Sequence, residues 1–466
     1  MADRTARTGA LTRRDMLRGS LTAGGALFGA TALPGRALAA VMRDAPPAAP
    51  PAPAGLMFFS DPGLDFNARF ALGAAGYGSA ETGEVLTAIN TANEAGGTLP
   101  AFVDAFWALA DRTATFARRE RAAGHRVTAR EAYLRASEYY AQVLFFILGT
   151  AHPEQEPQVF AKVRANWEAY AWLAEPRIEK VNIPYGTTTM PGYFMRPDDS
   201  GKARPTVIVN NGSDAQTVEV FPYGGAAAIE RGYNALLFEG PGQGAMLFER
   251  KIPFRSDWEK VITPIVDWLR KRSDVDKKRI ALTGWSLGGE LVVRAAAFEH
   301  RLAALVPDPG CTDIWAAWPA IVRDVANEGD AATQNQVWQQ LFADLTPEDA
   351  FNIKKRSEIF ATQFLDQARA GQLPTDYALL STTIQRFNCV DVASRVRCPT
   401  LVTSYELEQF VPGQAQQLSD LLRSRKDLAS FTVAQGAQYH CAPMAPQYRN
   451  EVVFDWLDET LRPHKH

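Results

Sequence analysis

Over residues 56–174, apolar side chains recur every third or fourth position between polar ones. The pattern is most regular at 101–122, 128–148 and 154–173, and this is the period of helices that bury one face. Thr128-Ala129-Arg130-Glu131 has the form of a capping box opening the second stretch. Glycines at 73–78 and 96–97 separate shorter pieces. Beyond Glu175 the rhythm shortens. Residues 178–183 and 191–195 read as two strands about a Tyr185-Gly186 turn. Compact apolar runs at 206–209, 235–238, 280–283, 304–306, 400–403 and 431–433 then alternate with helical stretches. Such alternation predicts right-handed βαβ units and a mostly parallel sheet covered on both faces, the α/β class. A helical stretch at about 312–387 interrupts it and would form a lid over the edge of the sheet where open α/β folds bind ligands. The expected organisation is a helical region over 56–175 and an α/β region over 176–466 carrying that insertion.

Composition adds exclusions. Of 466 residues, 46% are hydrophobic and 22% charged, the balance of a soluble globular protein and not of a long disordered or collagen-like chain. The formal net charge is −3, with no basic run outside the N-terminus, which argues against a nucleic-acid partner held by phosphate contacts. Paired Arg13-Arg14 precede an uncharged Gly/Ala/Leu stretch and then Ala37-Leu38-Ala39. This reads as a twin-arginine export signal over 1–39, cleaved after Ala39, with the periplasm or the exterior as destination. Its removal takes away six arginines and two aspartates, moving the net charge from −3 to −7 and leaving nothing to attract an anionic membrane. Residues 40–55, mostly Ala and Pro, read as an extended linker. Cys311, Cys389, Cys398 and Cys441 are too few for a disulfide framework and lack zinc-finger spacing. They are expected as buried thiols, with one late disulfide left open.

The chemistry centres on Gly284-Trp285-Ser286-Leu287-Gly288-Gly289. A bare G-x-S-x-G is weak evidence. Here a strand enters it and an apolar helix, 287 to about 298, leaves it, which is the context of a nucleophile elbow with Ser286 exposed at the sheet edge. A serine hydroxyl needs a base. Of the six histidines, only His440 follows a late strand in a loop able to reach Ser286. His125 and His152 lie in the helical region, His300 is far along the elbow helix, and His464 and His466 are in the tail. The acid should lie between Ser286 and His440 in chain order. The loop after 400–403 offers Glu406 and Glu408, and Glu408, 32 residues before His440, is favoured. It would fix the imidazole tautomer and stabilise imidazolium. The oxyanion hole needs two preorganised N–H donors: Leu287, and one from Asn210-Asn211-Gly212-Ser213-Asp214, where Ser213 is preferred and Gly212 is the close alternative. The Asn210 and Asn211 side chains could assist. Gly240-Pro241-Gly242-Gln243-Gly244 is read as a tight strand-end turn, because no helix with a ribose-binding acid follows it as a dinucleotide loop requires. Trp315, Trp318 and Phe364 are aromatics of the insertion that would serve equally as pocket lining or lid core.

The combination of Phe238-Glu239-Gly240-Pro241-Gly242-Gln243-Gly244, the Ser286 elbow and residues 436–443 resembles the α/β-hydrolases with an N-terminal helical domain. That group holds 2,6-dihydroxypseudooxynicotine hydrolase and the fungal pigment hydrolases that shorten polyketides. The resemblance runs from about residue 60 to the C-terminus. It implies an α/β-hydrolase fold, a Ser–acid–His triad, no metal or organic cofactor, a site roofed by the helical domain, and often a homodimer. Some such enzymes use aspartate as the triad acid, where this loop offers only glutamates. The expected activity is hydrolysis of a small acyl compound, either an ester or a C–C bond next to a ketone. A secreted peptidase or amidase is the alternative, and a binding protein on a hydrolase fold is less favoured.

Overall fold

The computed structural model describes residues 57–461; the expected export signal and linker, with the tail histidines, lie outside them. Five helices open the described residues: α1 (Pro62–Gly73), α2 (Thr82–Glu94), α3 (Leu99–Ala122), α4 (Arg126–Phe146) and α5 (Glu156–Leu173). Asp61 and Thr98 cap α1 and α3 by accepting backbone N–H groups, each with a proline in the first turn. The capping box expected at Thr128 is not at a helix start. Gly124, at φ 85°, turns the chain out of α3 so tightly that α4 begins at Arg126, which leaves Thr128 exposed inside the helix.

An eight-stranded sheet follows, in the order β1-β2-β4-β3-β5-β6-β7-β8. Its strands are β1 (Glu179–Tyr185), β2 (Thr188–Met195), β3 (Arg204–Asn210), β4 (Asn234–Phe238), β5 (Val275–Trp285), β6 (Ala304–Asp308), β7 (Thr400–Tyr405) and β8 (Lys426–Phe431). β1 and β2 form an antiparallel hairpin joined antiparallel to β4, and every other neighbouring pair is parallel. Every residue of β4 and β6 is buried, as a sheet covered on both faces demands. The helices interleaved with these strands are α6 (Thr217–Val220) and α7 (Ala226–Glu230) after β3, α8 (Gly244–Phe248) and α9 (Glu259–Leu269) after β4, and α10 (Gly288–Ala296) after β5. Between β6 and β7 run α11 (Ala320–Asp324), α12 (Ala331–Leu341), α13 (Pro347–Ser357), α14 (Thr362–Arg369) and α15 (Tyr377–Ile384). Finally α16 (Gln414–Leu421) precedes β8, and α17 (Pro446–Thr460) closes the chain.

The last strand sits earlier than expected, at 426–431 in place of 431–433. Thr432 instead caps a short turn by exchanging hydrogen bonds with Gln435. β8 is the sheet edge, with Lys426, Asp427 and Leu428 exposed, so it carries no apolar run to betray it. The N-terminal helices dock on the sheet through aromatics: Trp167 of α5 meets Tyr193 of β2 edge to face at 5.5 Å. All four cysteines are buried, unpaired thiols.

Candidate active site

β5 ends in the elbow. Its φ of 59° puts Ser286 in the left-handed region, a strained setting for a residue with a side chain. The strain is held in place by hydrogen bonds: Ser286 N–H donates to Asp308 O at 2.7 Å, and Gly289 N–H returns to Ser286 O at 2.8 Å. At Gly284 a β-carbon would lie 2.1 Å from Gly288 O, so strand and helix approach closer than any side chain permits. That requirement is the physical content of the motif.

Ser286 Oγ lies 2.9 Å from His440 Nε2, and His440 Nδ1 lies 2.8 and 2.9 Å from the two oxygens of Glu408. A carboxylate against Nδ1 assigns the proton to that nitrogen, leaving Nε2 as the acceptor for the serine hydroxyl. Glu408 is itself fixed, its Oε1 accepting Phe410 N–H at 2.9 Å and Val411 N–H at 3.2 Å. Glu406 turns elsewhere: it is exposed and accepts Val433 N–H at 2.8 Å. The ring of Phe410 packs edge-on to His440 at 4.8 Å, and Cys441 and Ala442 continue the loop at φ 60° and 50°.

The loop after β3 sits directly on the elbow, since a β-carbon at Gly212 would be 2.6 Å from Trp285 O and 2.8 Å from Ser286 Cβ. Gly212 N–H is engaged by Asn211 Oδ1 at 2.7 Å. Among the described residues, neither Ser213 N–H nor Leu287 N–H donates to another protein group, so the pair expected as oxyanion donors is free to serve. The asparagine side chains do not join them. Asn210 accepts from Trp258 Nε1 at 2.7 Å and donates to Asn211 O at 2.7 Å, while Asn211 donates to Ala215 O. Both amides shape the loop.

A cavity opens over Ser286, lined by Phe66 and Phe70 of α1, Phe145 of α4, Trp318 and Phe360 of the insertion, and Phe410. Trp318 is thus pocket lining; Trp315 and Phe364 are not among the lining residues. Polar groups in the wall are few. Asp214 pairs with Arg356 of α13. Glu219 accepts Gln216 N–H at 2.6 Å, and burial pushes its carboxyl up to about 7.

Two features go beyond what the sequence showed. Asp308, fully buried, supplies the carbonyl that holds Ser286 N–H, while its carboxylate meets Arg449 Nη2 at 2.6 Å, the Thr403 hydroxyl at 2.6 Å and the Tyr405 hydroxyl. A lone Asp at the end of an apolar strand and an Arg on the last helix give no hint of that pairing. The second is the turn at 240–244: a five-residue helix, α8, does open at Gly244, and Gln243 reaches back to the loop after β3, donating to Asn211 O at 2.8 Å and Gly212 O at 3.1 Å. No group of three or more His, Cys, Asp or Glu suited to hold a metal occurs among the described residues. No helix among them is long and apolar enough to cross a membrane.

The chain is similar to known hydrolases. Residues 181–437 match the profile of the family described as X-Pro dipeptidyl-peptidase (S15 family). The hydrolase LUC6 of Fusarium sp is 30% identical over 426 residues, covering 86% of this chain and 97% of its own. The 20-hydroxy-prefusarin hydrolase FUS2 of Gibberella moniliformis is 31% identical over 264 residues, 54% of this chain and 61% of its own. Among solved structures, 2,6-dihydroxy-pseudo-oxynicotine hydrolase shares the fold with a TM-score of 0.60 at 22% identity, over 84% of this chain and 95% of that one.

Proposed function

The chain belongs to the α/β-hydrolases, within the X-Pro dipeptidyl-peptidase (S15) family, and is a hydrolase; from this we propose an exported serine hydrolase that cleaves a small acyl compound through Ser286, His440 and Glu408. The observation that carries the reading is the unbroken line of contacts at 2.8–2.9 Å from Glu408 through His440 to Ser286 beneath a mostly apolar cavity rich in aromatics. His440 Nε2 accepts the Ser286 proton as Oγ adds to the carbonyl, and Leu287 and Ser213 N–H groups hold the resulting oxyanion. Glu408 stabilises the imidazolium without taking its proton. The imidazolium then protonates the leaving group, and a water deprotonated by His440 releases the acid from the acyl-enzyme. An alkoxide or phenolate leaving group makes the reaction ester hydrolysis. An enolate or electron-rich ring carbon makes it C–C cleavage next to a ketone.

The family's description favours a second reading, an aminopeptidase that removes X-Pro dipeptides. Such an enzyme must hold a cationic amino terminus, and neither carboxylate in the cavity wall offers a standing free anion: Asp214 is paired with Arg356, and burial raises Glu219 to about 7. The ester or C–C reading therefore takes precedence. The test is turnover of an aryl acetate, an aryl β-diketone and an X-Pro arylamide by the chain recovered from the periplasm, with mature residue Ala40 at its start, against Ser286→Ala. Expected is turnover of the ester or the diketone, lost by at least 10³-fold in the alanine variant. Arylamide turnover alone would replace this reading with the peptidase, and undiminished activity in Ser286→Ala would end the mechanism.

A further inference from the structure

Gln243 stands in the Gly-Pro-Gly-Gln-Gly turn, which the proposed chemistry leaves without a task. The residue is 3% exposed, and both ends of the side-chain amide are used. Oε1 accepts Gly240 N–H at 3.1 Å, and Nε2 donates to Asn211 O at 2.8 Å and Gly212 O at 3.1 Å. A plain strand-end turn needs only the first of these bonds. The other two leave the turn and fix a loop 31 and 32 residues away in sequence.

The geometry of a trans peptide gives those bonds a consequence. Carbonyl and N–H of one peptide unit point in opposite directions, and Gly212 O shares its unit with Ser213 N–H. Drawing Gly212 O toward Gln243 therefore turns Ser213 N–H away from it. The loop is seated on the Trp285–Ser286 backbone, and Ser213 N–H has no protein acceptor among the described residues. The other side of the same unit is anchored as well: Ser213 Oγ–H donates to Asp214 Oδ2 at 2.7 Å, and that carboxylate is paired with Arg356.

We propose that Gln243 is a positioning residue of the oxyanion hole. It grips the carbonyls of Asn211 and Gly212 so that Ser213 N–H stays aimed at the acyl oxygen while charge develops there. The claim rests on the serine-hydrolase reading above. Gln243 touches neither Ser286 nor substrate, so its effect belongs to kcat and to the affinity for tetrahedral adducts, not to ground-state binding.

Two variants test it on whichever substrate the wild type turns over. Gln243→Met removes the grip; Gln243→Glu keeps shape and acceptor but puts a carboxylate against two carbonyl oxygens. Direct loss of an oxyanion donor costs roughly 10²–10³ in kcat, so a donor left unaimed is expected to cost roughly 10- to 100-fold, with KM within about threefold. Affinity for a phenylboronic acid, which forms a tetrahedral adduct on the nucleophile, should fall by the same factor as kcat. Gln243→Glu adds a signature that a merely structural role lacks. When protonated it donates to Gly212 O again, so its kcat relative to wild type should rise as pH falls from about 9 to 6. This isosteric variant reads the role even where Gln243→Met fails to fold. The proposal is overturned by kcat within twofold of wild type in both variants, by a kcat loss with unchanged boronate affinity, or by a pH-independent ratio for Gln243→Glu. A wild type without Ser286-dependent turnover removes the underlying reading before any comparison of Gln243 variants.

Discussion

Two glutamates two positions apart have opposite fates, and the cause is one turn. Glu408 N–H closes on Tyr405 O at 3.2 Å, so the chain reverses between Glu406 and Glu408. The first is left outside against Val433 N–H and the second faces His440. Chain order and loop position brought the choice down to these two residues, and only the turn separates them. Glu408→Gln is expected to lower kcat/KM by about 10²–10⁴, because an amide facing Nδ1 favours the wrong tautomer and cannot stabilise imidazolium. Glu406→Gln should stay within about twofold, its carboxylate being solvated. Parallel steady-state kinetics decide the matter, and equal losses in the two variants would refute the assignment.

Elements with a clean apolar period were legible: α3, α4 and α5 lie within two residues of the stretches their spacing predicts. Buried strands such as β4 and β6 announce themselves as apolar runs, while the edge strand β8 does not, being half in water. The elbow helix α10 shows what pattern reading misses inside a correctly placed element. Glu290, in its first turn, is fully buried, and among the described residues neither carboxylate oxygen has a hydrogen-bond partner. Burial raises its pKa to about 8, Asp313 and Glu259 adding to the shift and Arg294 opposing it. In the unfolded chain the same group titrates near its ordinary 4.5. Between those two values the native state holds a proton that the unfolded state releases, so stability falls as pH rises through that window. Glu290→Gln, isosteric with the protonated acid, escapes this. It should match wild type below about pH 4.5 and gain progressively up to about pH 8, by on the order of 3–5 kcal/mol from the size of the shift. Urea unfolding at pH 5, 7 and 8.5 would show the gain, and a constant difference across the three would contradict it.

At the scale of the molecule, the roof over Ser286 is assembled from distant parts of the chain, and buried charge joins them. Lys355 of α13 and Glu358, just past its end, pair at 2.8 Å with 2% and 0% of their side chains exposed. Glu156, at the start of α5, pairs at 2.8 Å with Arg369 of α14, and its carboxylate faces Glu358 and Lys355 as well. Lys354 donates to Leu148 O at 2.6 Å just beyond α4. Arg356, next in line, carries the connection down to Asp214 beside the oxyanion loop. Nothing in the sequence marks Lys354-Lys355-Arg356 as buried, because a one-dimensional pattern cannot register an acid about 200 residues away. The energetics of buried pairs make the consequence specific. Removing one partner strands the other charge, at about 3–5 kcal/mol, whereas removing both with apolar side chains of similar volume is often neutral. Lys355→Met should therefore destabilise by about that amount, and Lys355→Met/Glu358→Leu should recover most of it. The recovery is incomplete because Glu156, whose buried carboxylate also faces Lys355, loses that cation. A double-mutant cycle in guanidinium unfolding measures this directly. Additive losses would show that Lys355 and Glu358 act independently and overturn the pairing as a shared element of the roof.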